Sequence, residues 1–301
     1  MRRLCAVTML ALAVLSGGCE DRGSAAPRVV VGVGSTTEQR VLAALSVRAL
    51  EAAGMAPEVR SDLGGTLGLR RAAIGGNIDV FWDYTGAAWA LGMGHQAPPS
   101  DPEESYQRVA RGDESNGLTW AEPSAANATL ALFVERDALP PSQRPRGLGW
   151  LAGVLSAGEK HLCADPEFIT RAGGLEALAS AYSIDVDRLT ELTIPAVEEH
   201  AISGVAEGRC FAALATATSG EALRAGLVLV ADDLRVFPAF IVAPVVRTDR
   251  MSAVPRLTTA VESVAALLDT ATLAELNARV AAGEDPAEVA EEFLARSVRG
   301  S

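Results

Sequence analysis

The sequence predicts an α/β fold of two lobes with a ligand cleft between them, and three observations carry that prediction. Short β-branched runs alternate with segments of helical period, first over residues 28–82 and again in the middle of the chain. A helical tail follows from Pro255 onward. Four of the chain's aromatic residues (seven Phe, four Trp and three Tyr in all) crowd into positions 81–89, as Phe81, Trp82, Tyr84 and Trp89, where a strand ends. Alternation of this kind builds parallel sheets with helices on their faces. Ligands of open α/β sheets lie beyond the carboxyl ends of the strands, so an aromatic cluster there is better placed for a site than for a core.

The elements follow in order. "RVVVGV" (28–33) is a buried strand. In "GSTTEQ" Ser35 and Glu38 have capping-box spacing, and the helix after them carries Leu42, Leu45, Ala49 and Ala52 on one face, closed by Gly54. "PEVRS" is a second strand; beyond "DLGGT" a helix through "LGLRRAAI" stops at Gly75 and Gly76. "IDVFW" (78–82) is a third strand. In the middle, "HLCAD", "LTELTI", "CFAALAT" and "LVLVAD" read as strands, with helices in "GGLEALASAY" and "EEHAISGVAEG". "VFPAFIVAPVVR" reads as one long extended segment, and "LPPSQRPRG" (139–147) as a loop. The tail has capping boxes at Thr272–Glu275 and Asp285–Glu288, the latter with Pro286 at the first helical position.

The amino end reads as an export signal over residues 1–18: Arg2 and Arg3, then an apolar run from Leu4 to Leu15 too short to span a bilayer. "LSGGCED" places small residues before Cys19, as lipid attachment to that thiol requires, although Leu15 lies one position further from the Cys than in the usual pattern. Residues 19–27 would then be a tether holding the protein on the membrane by its lipid. The formal charge of −12 repels phosphate backbones, which excludes nucleic acid as a partner. Outside the cytoplasm Cys163 and Cys210 are expected to pair as a disulfide, two buried thiols being the alternative.

Enzymatic signatures are missing. Gly32 and Gly34 lack the third Gly of a dinucleotide loop, no Walker Lys follows, and there is no G-x-S-x-G. His95, His161 and His200 are isolated, without metal-ligand spacing. The reading is of a protein that is not an enzyme and takes no cofactor or metal.

The blocks "STTEQ", "DLGGTLGLRRA", "GNIDVFWDYTG", "SAANATLALFV", "FPAFIVAPVVR" and "LNARVAAGEDPAEVAEEFL", in that order, resemble the osmoprotectant-binding proteins of ABC importers, the glycine betaine, choline and carnitine receptors. The resemblance implies a two-lobed type II periplasmic-binding-protein fold that closes on its ligand by a hinge. Lobe 1 would comprise 28–130 and 237–301, lobe 2 residues 131–236. It also implies a monomer working with an ABC permease and its ATPase, whose ligand is a small quaternary amine or related zwitterion. A receptor for another solute, a sensor, or an enzyme on the same fold are the alternatives.

In that family a box of Tyr faces holds the trimethylammonium head, since a quaternary cation donates no strong hydrogen bonds. Here the first wall is Tyr84; the second and third positions hold Leu130 and Thr216; the fourth holds Phe240. Gln39, Gly65, Thr66 and Asn127 match polar positions, and Arg171 falls where a carboxylate-binding Arg of the second lobe would lie. Ala87 replaces a Thr contact, and the Lys some members use is missing. Ordinary roles stand beside these: packing for Tyr84, Phe240, Trp82 and Trp89, helix capping for Gln39, a solvated helix start for Arg171.

Overall fold

The structure is a computed structural model that describes residues 26–139, 147–158, 160–171 and 173–300. The signal segment, Cys19, most of the tether and nearly all of the 139–147 loop lie outside the described residues. The chain opens with β1 (Arg28–Gly32), α1 (Thr37–Ala52), β2 (Ala56–Arg60), α2 (Thr66–Ile74) and β3 (Val80–Tyr84). A single turn, α3 (Thr85–Ala87), then α4 (Pro102–Asp113) and β4 (Leu118–Trp120) complete the first passage. The second unit runs β5 (Leu130–Glu135), α5 (Leu148–Ser156), β6 (Leu162–Ala164), α6 (Pro166–Thr170), α7 (Leu175–Ala181) and α8 (Val186–Leu192). It continues with β7 (Thr193–Pro195), α9 (Glu198–Ala206), β8 (Ala212–Thr216), α10 (Gly220–Arg224) and β9 (Leu227–Val230). The chain then returns as β10 (Val242–Arg247), α11 (Thr248–Ala253), α12 (Pro255–Ala265), α13 (Thr270–Ala281) and α14 (Pro286–Gly300).

Two five-stranded sheets result, ordered β2-β1-β3-β10-β4 and β7-β6-β8-β5-β9. In each, one strand runs against its parallel neighbours, and it is the strand that follows a crossing between lobes. Val242 of β10 pairs with Tyr84, the last residue of β3, and Leu130 of β5 pairs with Thr216, the last residue of β8. A chain arriving at the carboxyl edge of a sheet must start its strand there, so it can only run antiparallel. The two crossings are stitched together: Ala128 N–H donates to Phe240 O at 2.9 Å, and Phe240 N–H to Asn127 Oδ1 at 2.8 Å. That ribbon links the two lobes, where the resemblance expects a hinge.

β3 is buried on both faces, as expected of a strand between helical layers. Phe81 faces α2 and β4, whereas Trp82 packs toward α1 and donates its Nε1–H to Ser46 Oγ at 2.7 Å. The second unit has its own core around Leu132, Leu151, Phe168 and Leu214. Cys163 and Cys210 are joined as a disulfide with Cα atoms 5.8 Å apart, beside Ala201 and Val205 of α9.

Several local expectations change. The first helix is capped by Thr36: Gln39 N–H donates to Thr36 Oγ1 at 3.1 Å, and Gln39 Oε1 accepts from Thr36 N–H at 3.4 Å. The box has moved one residue along from Ser35–Glu38, which frees the Glu38 side chain. β3 runs on to Tyr84, two residues past the predicted end, because β10 pairs with it along its length. "LTELTI" is mostly helix, since Asp185 caps α8 and Leu189 and Leu192 turn to the core; only Thr193–Pro195 forms a strand. The extended segment 236–247 becomes a strand only from Val242, its first half being spent on the ribbon. α13 starts at Thr270, capped by Asp269, whose Oδ1 accepts from Thr272 N–H at 2.7 Å.

Candidate functional site

Between the sheets lies a cavity of about 660 Å³. Its walls come from the amino ends of α1, α2 and α9, the carboxyl ends of β3 and β8, the loop into α10, the ribbon, and α13. Tyr84 and Phe240 are its aromatic walls.

The local sequence fixes both rings. Tyr84 is delivered by the end of β3, its phenol beside Glu38 and Thr36. Burial, and then the Glu38 carboxylate beside it, push the phenol well above its ordinary range, so it stays protonated. Phe240 lies against the backbone of Gly86. A Cβ built on Gly86 would stand 2.3 Å from Phe240 Cε2 and 2.5 Å from Cδ2, so only glycine admits the ring. Fully buried Thr85 locks the same corner. Its Oγ1 donates to Ala239 O at 3.1 Å and accepts from Ile241 N–H at 3.1 Å and Ser105 Oγ at 2.8 Å. The "YTG" of the aromatic stretch thus supplies a wall, a clamp and a gap. Gly86→Ala should push Phe240 aside, cost roughly 1–3 kcal/mol by overpacking, and weaken ligand binding. The check is the same substitution in a Phe240→Ala background, where denaturant melts should show almost no further loss.

Glu38, Glu198 and Asn277 are among the cavity residues that sequence reading missed. Glu38 accepts from Asn277 Nδ2 at 2.8 Å and lies beside Tyr84 and Thr218; burial raises its pKa. Glu198 Oε2 accepts from Thr216 N–H at 3.0 Å and Thr216 Oγ1 at 2.9 Å. Asn277 also donates to Thr218 O at 2.9 Å, tying α13 of the first lobe to the loop of the second. Gly220 permits that approach, since a Cβ there would meet Ala278 N at 2.3 Å.

The structure brings Gln39, Gly65, Thr66, Tyr84, Thr216 and Phe240 to the cavity. Asn127 stands just behind it, its side chain spent on Phe240 N–H. Arg171 does not line the cavity: it is exposed at the end of α6, its guanidinium 5.8 Å from the Phe168 ring centre. Leu130 is turned into the second-lobe core, and Ala128 takes the cavity position beside the ribbon. Trp82 is core, and Trp89 stacks on His95 at 4.2 Å, away from the cavity.

Two α/β lobes joined by that ribbon, with an aromatic-walled cavity between them, define a solute-capturing receptor. The chain belongs to the family described as the substrate binding domain of ABC-type glycine betaine transport systems, whose model matches residues 27–296. It is 33% identical over 286 residues to the glycine-betaine-binding protein of Pseudomonas aeruginosa, covering 88% of this chain and 86% of that one. It is 32% identical over 283 residues to the glycine betaine-binding protein YehZ of Escherichia coli, covering 90% of each. The solved structure of apo YehZ superposes with a TM-score of 0.80 at 29% identity, over 91% of this chain and 99% of that one. This protein is a substrate-binding receptor of an ABC osmoprotectant importer.

Proposed function

We propose that the receptor captures a small quaternary amine or related zwitterion of the glycine betaine, choline or carnitine type and delivers it to a permease and its ATPase. The observation that carries this reading is the pair of rings, Tyr84 and Phe240, facing a cavity of about 660 Å³ in which no Arg, Lys or His appears among the described lining residues. Aromatic faces hold cations that cannot hydrogen-bond, each contributing about 0.5–2 kcal/mol. Gln39, Gly65, Thr66 and Thr216 edge the same space. In this reading Asn127 sets Phe240, and Arg171 acts only if the second lobe brings it closer. The protein works as a monomer and without chemistry; relatives named as glycine betaine-binding proteins support the non-enzymatic part of that reading. Calorimetry with glycine betaine, choline, carnitine, proline betaine and ordinary amino acids tests the ligand class. Binding of the quaternary amines alone is the expected result; tight binding of an uncharged or anionic solute, or turnover of any of them, overturns it.

The receptor sits outside the cytoplasm, anchored through a lipid on Cys19. Among the described residues no helix is long and apolar enough to cross a membrane. Cys19→Ser should move the protein from the membrane to the soluble fraction; retention in the membrane would end the lipoprotein reading.

A further inference from the structure

Resting on the quaternary-amine reading, we infer that the cleft selects a net cation, an ammonium head on an arm without a carboxylate, because Glu38 and Glu198 already hold the Asn277 and Thr216 donors that a ligand carboxylate would otherwise meet there. Four carboxylates line the cavity, from Glu38, Glu198, Glu199 and Glu221, and no basic side chain answers them among the described lining residues.

The donors are the deciding feature. Thr216 gives both its N–H and its hydroxyl to Glu198, at 3.0 and 2.9 Å. Asn277 Nδ2 goes to Glu38 at 2.8 Å and to Thr218 O at 2.9 Å. The Tyr84 and Thr218 side chains also lie beside Glu38. A zwitterion entering this space brings its carboxylate against two fixed carboxylates whose hydrogen bonds it would have to break. A monocation meets no such conflict. Its head lies against Tyr84 and Phe240, and the carboxylates balance its charge in a partly dewatered cleft, where they count for more than in bulk water. Asn277 adds a further sign: it lines the cavity, is 5% exposed, and its Oδ1 has no hydrogen-bond partner. A spare acceptor suits a ligand whose arm donates an O–H or N–H, as an amino alcohol cation does and a betaine does not.

The carboxylates also account for the departures in the site. Ala87 offers no hydroxyl toward a ligand carboxylate, and Arg171 lies outside the cavity. A cation receptor needs neither.

The test is calorimetry of the wild type and of Glu198→Gln, a variant whose amide oxygen still accepts from Thr216, with melts confirming that it folds. Three probes are used: choline, glycine betaine, and 3,3-dimethyl-1-butanol, which has the shape of choline without its charge. The wild type should bind choline at least about 10-fold tighter than glycine betaine and the neutral alcohol. Glu198→Gln should weaken choline about 10-fold, equivalent to about 1.4 kcal/mol. It should leave glycine betaine within a few-fold, because the zwitterion loses an attraction at one end and a repulsion at the other. Equal or tighter binding of glycine betaine, or an unchanged choline affinity in Glu198→Gln, overturns the cation preference while leaving the quaternary-amine reading intact. Failure of the wild type to bind choline, glycine betaine, carnitine or proline betaine overturns both. Binding of the neutral alcohol as tightly as choline shows that shape alone is read, and the carboxylate argument falls.

Discussion

Arg70→Met should destabilise the protein by about 3–5 kcal/mol, the cost of leaving buried carboxylates without their cation. Arg70 sits on α2 with its side chain only 4% exposed. Its Nη1 donates to Asp83 Oδ2 at 3.0 Å and to Asp113 Oδ2 at 3.0 Å, and its Nη2 to Asp113 Oδ1 at 2.6 Å. Trp120 Nε1 and Asn116 Nδ2 complete the shell of Asp113 at 2.7 and 2.9 Å. Methionine fills much of the volume, so the loss reports the charge rather than a cavity. At about 2–4 °C per kcal/mol for a chain somewhat smaller than this one, the melting temperature should fall by roughly 10 °C.

The sign of the pH dependence follows from Asp83. Burial raises its pKa from 3.8 to about 6, and Arg70 holds it from rising further. A folded-state pKa above the unfolded value means the folded protein binds the proton more readily. Its contribution is then most favourable below about pH 4 and is lost as pH rises through about 6. Without Arg70 the pKa climbs higher, so Arg70→Met should be closer to wild type at pH 5 than at pH 7.5. Adding Asp83→Asn and Asp113→Asn removes the orphaned charges and should recover most of the loss. A single variant within 1 kcal/mol of wild type at pH 7.5 would show that the network is not a buried ion cluster in solution.

That network is linked to the site by one peptide bond. Asp83 Oδ1 accepts from Tyr84 N–H at 2.9 Å, so the charge cluster behind the strand also sets the end of β3. None of this was legible in the sequence. Arg70 sits in a helix read from "LGLRRAAI", where an isolated charge usually faces water, and no element was assigned around Asp113. Only the packing of α2, α4 and β4 around β3 turns them inward.

What was legible had local causes. The strand carrying Tyr84 shows in its apolar run, and the two lobes show in the repeated alternation of strand and helix. Phe240 could be placed from its block, but not the reason for its position, which is a glycine more than 150 residues earlier in the chain. The cavity carboxylates were hidden by plausible local duties. Glu38 has the spacing of a capping-box partner, and Glu198 opens a helix, so each had a sufficient explanation without a ligand. The true cap one residue along is a difference of geometry between Ser35 and Thr36 that composition cannot resolve. Asn277 was further out of reach: it reads as one polar position on a tail helix, and its partners, Glu38 and Thr218, come from opposite lobes.

Tyr84→Ala should weaken ligand binding by about 100-fold or more, close to 2.7 kcal/mol. Two losses combine. The first is the aromatic face, up to about 2 kcal/mol for a cation shielded from water. The second is the hydroxyl beside Glu38, whose removal lets water reach that carboxylate inside the cleft. No neighbour can substitute, because Asp83 and Thr85 are turned into the protein and Trp82 is buried and bonded to Ser46 of α1. The fold should survive, since Tyr84 is the last residue of its strand and only partly buried. Tyr84→Phe separates the two contributions: it keeps the face and should stay within about 10-fold of wild type. If phenylalanine fails as badly as alanine, the hydroxyl beside Glu38 holds the site rather than the ring. If alanine binds within a few-fold of wild type while its melt is unchanged, Tyr84 is no wall of the cleft, and the aromatic account of cation capture goes with it.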